Sequence, residues 1–307
     1  MSDIKSVYLI GLGAIGGAFA GRIQEHCPEC LKVVVNKERV ERYGRSGIII
    51  NDKKVNFDFV QPDEIQETAD LIIIAVKQHH LSQTIEDIRK LVGHSTTILS
   101  LLNGITSEEI IGKEYGMDKM LYSFCVGTDT ERIGTNIHYA NIGRIVFGDR
   151  NDSKSSPRVK SVQAFFDKTN IPYNIPENML RELWWKFMMN VGINQVSAVL
   201  RVPYGSFTVA GDTRDLMFAA SREVVELSRK AGIHLGEGDI EKCAAILATL
   251  SPLGKTSMLQ DVEAGRKTEV EIFAGTVIKL GLQYGIETPV NNVLYKLIRA
   301  IEQIAVG

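Results

Sequence analysis

The sequence predicts a doubly wound α/β sheet in the N-terminal half of the chain and an all-α C-terminal half. In the first half, short β-rich runs alternate with helical patterns, which is typical of a parallel sheet covered by helices on both faces. From residue 178 onward only helical periodicity is found. The chain has 307 residues, enough for about two domains. We therefore predict an α/β domain at 1–174 and an all-α domain at 175–307.

The strands of the predicted sheet are short apolar runs. The clearest is "ADLIIIAVK" at 69–77, a nearly continuous apolar run such as a parallel strand buried on both faces requires. Other early strands are predicted at 6–10, 31–36 and 96–104. Three later runs, "KMLYSFCVGT", "NIHYANIG" and "RIVFGD", are predicted as further strands with antiparallel pairing among them. A polar loop at 151–157 and a helix that follows it complete the first domain.

The second domain is predicted as a series of helices joined by turns. Their predicted bounds are 178–200, 213–231, 238–250, 255–264, 268–284 and 289–305. Gly265 follows the fourth of these helices as a stop signal. Thr268 and Glu271 have the T-x-x-E spacing of a capping box, which predicts that the next helix starts there.

Composition and charge argue against several classes of protein. The net charge of −2 and the pI near 6.3 speak against a binder of nucleic acid, which needs a basic surface. No apolar run approaches the ~20 residues that span a bilayer. The N-terminal sequence lacks the layout of a signal peptide. These features together predict a cytoplasmic enzyme.

The chain has four cysteines, and two of them form the motif "CPEC" at Cys27 and Cys30. A thioredoxin-type pair opens a helix, whereas this pair is expected just after the first helix ends. A structural zinc site needs four ligands, and the sequence has no second CxxC motif. We therefore expect two reduced thiols, and we predict no metal site.

A glycine loop follows the first predicted strand. In "GLGAIG", Gly11, Gly13 and Gly16 form the GxGxxG pattern, with Ala14 and Ile15 opening the helix. After a strand, at the start of a helix and within a βαβ unit, this pattern predicts dinucleotide binding. The first glycine permits a tight turn, the second lets a pyrophosphate approach, and the third lets the helix pack on the strand. The free N–H groups of the helix N-terminus favour the phosphates.

The end of the second strand predicts which nicotinamide cofactor binds. NAD enzymes usually place Asp or Glu there to accept from the ribose 2′-OH. This chain has Asn36, followed by Lys37 and Arg39. An amide and two cations suit a 2′-phosphate, so we predict NADP(H). Arg42 and Arg45 could add positive charge near the phosphate, but we favour a solvated helix face for these two residues.

Two polar residues come directly after buried strands, at the edge of the sheet where ligands bind in open α/β folds. Lys77 ends the run at 69–77, and Asn103 ends the run at 96–104. We predict that both face the nicotinamide half of the cofactor. The alternative is that either one is simply the first residue of a loop.

The segment "RELWWKFMMNVGIN" at 181–194 places polar residues in apolar surroundings. Lys186, Asn190 and Asn194 are four residues apart, and at about 100° per residue they lie within roughly 80° on one helix face. A stripe of this kind predicts a polar ligand opposite it, or partners elsewhere in the protein. Ser257 and Glu269 lie on a later polar stretch that could face the same cleft.

Five motifs, spread over almost the whole chain in order, give it a specific resemblance to the ketopantoate reductases. They are the glycine loop, "VK" at 76–77, "NG" at 103–104, "ELWWKFMMNVGIN" at 182–194 and "SMLQDVEAGRKTE" at 257–269. The resemblance implies a Rossmann domain followed by a helical domain. It also implies NADPH-dependent reduction of ketopantoate (2-dehydropantoate) to pantoate, on the route to pantothenate and coenzyme A.

The resemblance also implies roles for individual residues. Lys186 would be the general acid, with Glu269 supporting the lysine or the substrate. Asn190, Asn194 and Ser257 would hold the substrate, while Lys77 and Asn103 would lie beside nicotinamide and substrate. Hydride transfer to a ketone creates an alkoxide that needs a proton and a stabilising positive charge, and a lysine provides both.

The sequence departs from the family at one position and leaves alternatives open. Family members often carry Arg where this chain has Asn36, so the 2′-phosphate contact shifts to Lys37 or Arg39. A β-hydroxyacid dehydrogenase and a non-catalytic NADP-binding sensor are the competing interpretations. The motif at 257–269 speaks against the first, and the complete lysine–asparagine stripe against the second. A homodimer is possible on this reading.

Overall fold

A twisted sheet forms the centre of the N-terminal part of the chain. The computed structural model describes residues 3–150 and 155–306, so most of the polar loop predicted at 151–157 lies outside the described residues. The strands are β1 (Val7–Ile10), β2 (Leu31–Val34), β3 (Ile48–Ile50), β4 (Lys53–Val55), β5 (Phe59–Val60), β6 (Leu71–Ile74), β7 (Thr97–Ser100), β8 (Met120–Val126), β9 (Asp129–Ile133), β10 (Asn136–Asn141), β11 (Arg144–Gly148) and β12 (Tyr173–Asn174).

Eight of these strands pair in the order β12-β11-β8-β7-β6-β1-β2-β5. The pairs are parallel except for β11, which runs antiparallel to β8, as the sequence predicted for this region. The helices of this part are α1 (Ala14–His26), α2 (Lys37–Ser46), α3 (Leu81–Asp87), α4 (Ser107–Tyr115) and α5 (Pro157–Lys168). The predicted α/β class is confirmed.

Every residue of β1, β6 and β7 is buried, because helices cover both faces of the sheet. Alternate residues of β1 enter different cores: Val7 and Leu9 pack in one, Tyr8 and Ile10 in the other. This alternation is the period of two that strand geometry imposes. The near-continuous apolar runs of the sequence are the direct result of burial on both faces.

A second, four-stranded sheet in the order β4-β3-β10-β9 packs against α1. Two glycines on α1 make room for it. A Cβ on Gly17 would collide with Ile137 of β10, and a Cβ on Gly21 would come within 2.8 Å of Ile50 of β3. The sequence predicted a strand for β10 but neither the pairing with β3 nor the sheet, because its edge strands are short and exposed.

Cys27 and Cys30 form a disulfide, so the expectation of two reduced thiols was wrong. Cys27 caps the C-terminus of α1, and Pro28–Cys30 forms a single 3₁₀ turn. In such a turn residues three apart are nearly superposed, and the two Cα atoms are 5.4 Å apart, within the range a disulfide requires. Both cysteines are buried in the core of the larger sheet.

The chain divides into two compact units, Met1–Met179 and Leu180–Gly307, and the second is built from helices. They are α6 (Met179–Leu200), α7 (Asp212–Lys230), α8 (Glu237–Leu247), α9 (Ser257–Glu263), α10 (Thr276–Tyr284) and α11 (Pro289–Val306). Within the described residues no strand follows Asn174, as predicted. None of the helices in these ranges is long and apolar enough to cross a membrane.

The predicted capping box at Thr268 and Glu271 was wrong. A π-helical turn, Glu271–Gly275, precedes α10, and the Thr268 hydroxyl accepts from the Val270 N–H at 3.2 Å. Glu271 does not reach back to Thr268. Its carboxylate accepts hydrogen bonds from Tyr295 and Arg299 on α11, because these remote donors offer a charge-assisted contact that the local pattern cannot reveal.

Helix α11 is anchored at its first turn by a carboxylate from α7. Glu223 accepts from the backbone N–H of Val290 at 2.7 Å and of Asn291 at 3.0 Å. The buried Asn291 side chain also donates to Glu223 and accepts from Gln195 of α6 at 2.9 Å. The anion satisfies backbone donors that a helix start leaves without partners. Helices α6, α7 and α11 are thereby tied together.

Candidate active site

The glycine turn between β1 and α1 has unequal demands at its three glycines. Gly11 has φ +103°, and a Cβ there would lie 2.5 Å from the Ala75 carbonyl oxygen. A Cβ on Gly16 would overlap the Gly11 carbonyl oxygen and lie 2.9 Å from the Ala75 side chain. Gly13 differs, because a Cβ there would meet only the Ala75 carbonyl oxygen, at 3.9 Å. The protein's own packing therefore requires Gly11 and Gly16, and it leaves space in front of Gly13.

Gly13 is also the N-cap of α1, so no side chain caps the helix there. Ala14 and Ile15 follow as its first residues. The first N–H groups of a helix lack intrahelical acceptors, and the helix dipole is positive at this end. Space at Gly13 and an uncapped helix start are the two features that a pyrophosphate needs. The turn fits a dinucleotide cofactor.

Asn36 lies at the end of β2, where the cofactor ribose was predicted, and it is the N-cap of α2. Its side-chain oxygen accepts from the Arg39 N–H at 3.0 Å. The amide oxygen is therefore committed to capping, a common role for Asn at this position. Lys37 and Arg39 follow in the first turn of α2, where Lys37 is exposed and Arg39 is half-buried.

A cluster of guanidinium groups surrounds Tyr43, further along α2. Arg42 and Arg132 each donate to the Tyr43 hydroxyl at 3.3 Å, and both lie over its ring. Burial raises the pKa of Tyr43, but hydrogen bonds and charge from Arg132, the Arg42 hydrogen bond and the Arg39 charge outweigh it and lower that pKa. Arg132 belongs to β9, so the sequence around α2 gave no indication of it.

Lys77 and Asn103 both follow strands of the larger sheet, on the side predicted for ligand binding. The strands end sooner than predicted, at Ile74 and Ser100. Lys77 is exposed and is the N-cap of a short 3₁₀ turn, while Asn103 is half-buried in the loop before α4. Since β6 and β7 are parallel neighbours, both residues lie beyond the same edge of the sheet.

The polar stripe of α6 forms a hydrogen-bonded chain with α9. Asn190 and Asn194 are 5 % and 6 % exposed, and the Asn194 amide donates to the Asn190 oxygen at 3.3 Å. Ser257, the first residue of α9, donates to the Asn194 oxygen at 3.2 Å, and the Met258 N–H approaches the same oxygen at 3.4 Å. Three predicted substrate residues, Asn190, Asn194 and Ser257, are therefore brought together. Part of their polarity is satisfied within the protein.

Lys186 is half-buried on the same stripe, one turn before Asn190. Three of its neighbours on α6, Trp184, Trp185 and Phe187, are at most 8 % exposed. Burial raises the pKa of the Cys243 thiol on α8 to about 12, and the charge of Lys186 acts in the opposite direction.

Helix α8 is held against the start of α6 by polar contacts. Arg181 donates to both carboxylate oxygens of Asp239 at 2.8 and 2.9 Å. The Trp185 indole N–H donates to the Asp239 carbonyl at 3.2 Å. The ammonium of Lys242 lies 5.1 Å from the centre of the Trp185 ring. Together these contacts fix the turn of α6 that carries Lys186.

Glu269 is half-buried between α9 and the π-helical turn. The predicted helix at 268–284 would have placed Glu269 in its first turn. Glu269 instead lies just before the π-helical turn, which begins at Glu271. Its backbone carbonyl accepts from the N–H groups of Ile272 and Phe273 at 3.1 and 3.2 Å.

Among the described residues, one group of ligand-type atoms is close enough together to hold a metal ion. It consists of Cys27, Glu29 and Cys30, with the ligand atoms within 4.8 Å of one another. The two sulfurs are joined in the disulfide, and a disulfide is not the thiolate that binds metals. We therefore do not predict a metal site at this group.

Comparisons with known proteins agree with this arrangement. The family profile described as ketopantoate reductase PanE/ApbA matches residues 7–152, and the profile of the C-terminal part of the same family matches residues 178–302. A 2-dehydropantoate 2-reductase of Aquifex aeolicus is 26 % identical over 309 residues, which cover 97 % of each chain. An uncharacterized oxidoreductase of Bacillus subtilis, YkpB, is 24 % identical over 96 % of this chain and 98 % of its own.

Solved structures share the fold. A PanE/ApbA family ketopantoate reductase from Ralstonia eutropha superposes with a TM-score of 0.85 at 22 % identity, over 98 % of this chain and 100 % of the other. A D-mandelate dehydrogenase, solved with NADH and anilino(oxo)acetate, gives a TM-score of 0.86 at 21 % identity, over the same shares. At this identity both likenesses concern the fold alone.

Proposed function

The chain belongs to the ketopantoate reductase family, and we propose that it uses NADPH to reduce 2-dehydropantoate to pantoate. That it is an oxidoreductase with a nicotinamide dinucleotide cofactor follows from the family; the substrate and the choice of NADPH are the proposal. The observation that carries it is the stripe of α6, where Lys186 precedes the hydrogen-bonded chain of Asn190, Asn194 and Ser257.

The cofactor would bind along the glycine turn. Its pyrophosphate would occupy the space before Gly13 and accept from the first N–H groups of α1, at Ala14 and Ile15. Gly11 and Gly16 shape the turn without themselves needing to touch the ligand. When bound, the reduced nicotinamide supplies a hydride to the carbonyl carbon of the substrate.

The preference for NADPH rests on positive charge near the end of β2. Lys37 and Arg39 lie in the first turn of α2, and Arg42 and Arg132 add positive charge around Tyr43. The Asn36 oxygen accepts from the Arg39 N–H. Because its amide is neutral, Asn36 does not repel a phosphate as a carboxylate would. We assign the 2′-phosphate contact to Lys37 and Arg39, with Asn36 shaping the helix start.

Lys186 would act as the proton donor. The ketone oxygen gains negative charge as the hydride arrives, and the ammonium transfers its proton to that oxygen to complete the 2-hydroxy acid. Solvent then returns a proton to the amine. The positive charge also stabilises the developing alkoxide before transfer. Glu269 would support the lysine or the substrate.

Amides and a hydroxyl would hold the substrate. The Asn190, Asn194 and Ser257 side chains offer both donors and acceptors, which suit the carboxylate and hydroxyl groups of a small keto acid. Asn103 and Lys77 would lie beside nicotinamide and substrate. A keto acid carries its own charge, so a site built from neutral amides with one cation matches it.

We also propose that the enzyme works in the cytoplasm, in pantothenate and coenzyme A synthesis, and as a homodimer. Its relatives carry the name 2-dehydropantoate 2-reductase, and one structural neighbour is a dimeric ketopantoate reductase from Staphylococcus aureus. Sedimentation at micromolar concentration tests the dimer, and a single monomeric species would refute it.

The deciding experiment is NADPH oxidation with a panel of 2-keto acids. We expect kcat/KM to be highest for 2-dehydropantoate, above pyruvate, a branched 2-keto acid and phenylglyoxylate. The last is included because the D-mandelate dehydrogenase fold is so similar. A preference for phenylglyoxylate would show that the substrate is an aryl keto acid, while the type of reaction would stay as proposed. NADPH binding without turnover of any member would favour a sensor instead.

Cofactor preference is tested in the same assay. Neutralising Lys37 and Arg39 together should lower kcat/KM with NADPH about tenfold or more, since a charge-assisted contact contributes ~1.5–3 kcal/mol. The NADH value should change little. Arg45→Gln is the matched control, because this exposed side chain at the end of α2 is paired with Glu41. Equal losses with both cofactors would refute the assignment.

A further inference from the structure

The loop that carries Asn103 is closed at its base by a buried polar network. Ser100, the last residue of β7, and Ser107, the first residue of α4, bracket the loop. Their hydroxyl oxygens are 2.8 Å apart. This contact joins the two ends of the loop that carries Asn103.

The network continues to a carboxyl group and to the next strand. Ser107 donates to the Glu108 carboxylate at 2.8 Å, and the Ser123 N–H of β8 approaches its other oxygen at 3.3 Å. The Ser123 hydroxyl donates to the Ser100 carbonyl at 2.7 Å. All four residues are at most 2 % exposed. A polar network buried this completely specifies one geometry when every member has a partner.

The hydroxyl hydrogens of this network can be placed in one order. Each serine hydroxyl has one hydrogen to give. With Glu108 ionised, Ser107 gives its hydrogen to the carboxylate and Ser100 gives its own to Ser107. An ionised carboxylate accepts the Ser107 hydrogen bond more strongly than a neutral carboxyl does, because the bond is then charge-assisted.

We propose that Glu108 is a positioning residue, which holds the Asn103 loop in place through the Ser100–Ser107 contact while its carboxylate is ionised. The inference rests on the proposed function for the role of Asn103 in substrate and cofactor contact. The hydrogen-bonded network of Ser100, Ser107, Glu108 and Ser123, called the clamp below, is a property of the fold and does not depend on that function. Loss of the carboxylate charge weakens the hydrogen bond from Ser107, and with it the contact at the base of the loop.

The charge of Glu108 changes near neutral pH. Burial raises the pKa of Glu108 to about 7, against the hydrogen bonds from Ser107 and Ser123, with Glu109 adding to the rise. The charged and titratable groups around it are Glu109 on α4 and Tyr122 on β8, with Arg150 acting on Tyr122. From β7, the hydroxyl of Ser100 completes the surroundings.

Glu108→Gln is the test, because it keeps the shape and removes the charge. We expect it to lower kcat/KM for the keto acid about tenfold at pH 8 and to abolish the rise of the wild-type value between pH 6 and 8. The NADPH dissociation constant should stay within about twofold. Glu109→Gln, the same change at the exposed neighbouring residue, should leave kcat/KM at pH 8 and the NADPH dissociation constant unchanged and keep the rise, shifted to lower pH because the Glu109 charge is gone. Glu108→Asp should restore the pH dependence in part.

A double-mutant cycle shows whether Glu108 acts through Asn103. In an Asn103→Ala background, Glu108→Gln should have almost no further effect, because the residue it positions is gone. An equal loss in both backgrounds would mean that Glu108 only supports the fold, and it would overturn the proposal.

A substrate-free measurement separates this proposal from the proposed function. Hydrogen exchange of the peptide spanning residues 101–106, expressed as protection factors, should show less protection in Glu108→Gln than in the wild type at pH 8. At pH 6 the two should converge. Unchanged protection at pH 8 would refute the clamp even if keto acids are reduced. If the protein reduced no keto acid but showed this difference in protection, the clamp would be supported and the proposed function refuted.

Discussion

The proposed cofactor site and the proposed substrate site use different parts of the chain. At the glycine turn, backbone N–H groups would bind the ligand, and the absence of side chains leaves room for it. On α6, the side chains of Lys186, Asn190 and Asn194 would carry the chemistry. A backbone site tolerates no added atoms, whereas a side-chain site tolerates changes in shape but not in chemistry. The two should therefore fail differently when they are mutated.

Lys186→Ala should produce the largest effect on turnover. General acid catalysis contributes ~10²–10⁴-fold, so kcat should fall by about that factor while NADPH affinity stays the same. Lys230→Ala is the matched control, since this exposed lysine ends α7 and belongs to neither proposed site. Stopped-flow measurement of the hydride step checks that chemistry limits the rate. A variant keeping more than about a tenth of the wild-type rate would remove Lys186 from the mechanism.

Glu108→Gln should change how stability depends on pH. A carboxyl whose pKa is raised from 4.5 to about 7 by folding binds its proton more tightly in the folded state. Its contribution to stability is therefore lost as pH rises from about 4.5 through about 7, by about 3 kcal/mol in total. Urea unfolding of both proteins at several pH values measures it. Parallel curves for wild type and variant would contradict the assignment.

Gly13 and Gly16 should separate binding from folding. Gly13→Val should raise the NADPH dissociation constant tenfold or more, about 1.4 kcal/mol or above, because a side chain there blocks the phosphates. Its melting temperature should change little, since space is open at this position. Gly16→Ala should instead lower the melting temperature. The division between the two sites would fail if Gly13→Val raised only the KM of the keto acid.

Asn194→Ala should give the smallest effect and confine it to the substrate. It removes the acceptor of the Ser257 hydroxyl and one donor to Asn190. A net contribution of ~1 kcal/mol per hydrogen bond predicts a several-fold rise in the KM for keto acid. Asn292→Ala on the exposed face of α11 is the control. Weaker NADPH binding in Asn194→Ala would show that the stripe serves the cofactor as well.

The sequence predicted the features that depend on neighbouring residues alone. The apolar runs of β1 and β6 follow from burial on both faces, and the polar stripe of α6 follows from the helical period. The contact between Asn194 and Ser257 was only a general expectation, because two separate helices supply its partners.

Pairings between distant segments were beyond the sequence. Arg132 reaches Tyr43 only because β9 joins a second sheet. Thr268 and Glu271 have the spacing of a capping box, yet Glu271 finds Tyr295 and Arg299 on α11 instead. Nor does the sequence order of Glu108 after Ser107 reveal that both are buried. In each case a remote partner outweighs a local preference.

The glycines that α1 presents to the small sheet have a consequence for the order of events during synthesis. Helix α1 and its neighbour β1 emerge early from the ribosome. Their cover includes β10, which pairs with β3 across a long stretch of chain and presents Ile137 to Gly17. Contacts between such distant segments form slowly. Until β10 has been translated, the glycine face of α1 therefore lacks the cover that it has in the folded protein.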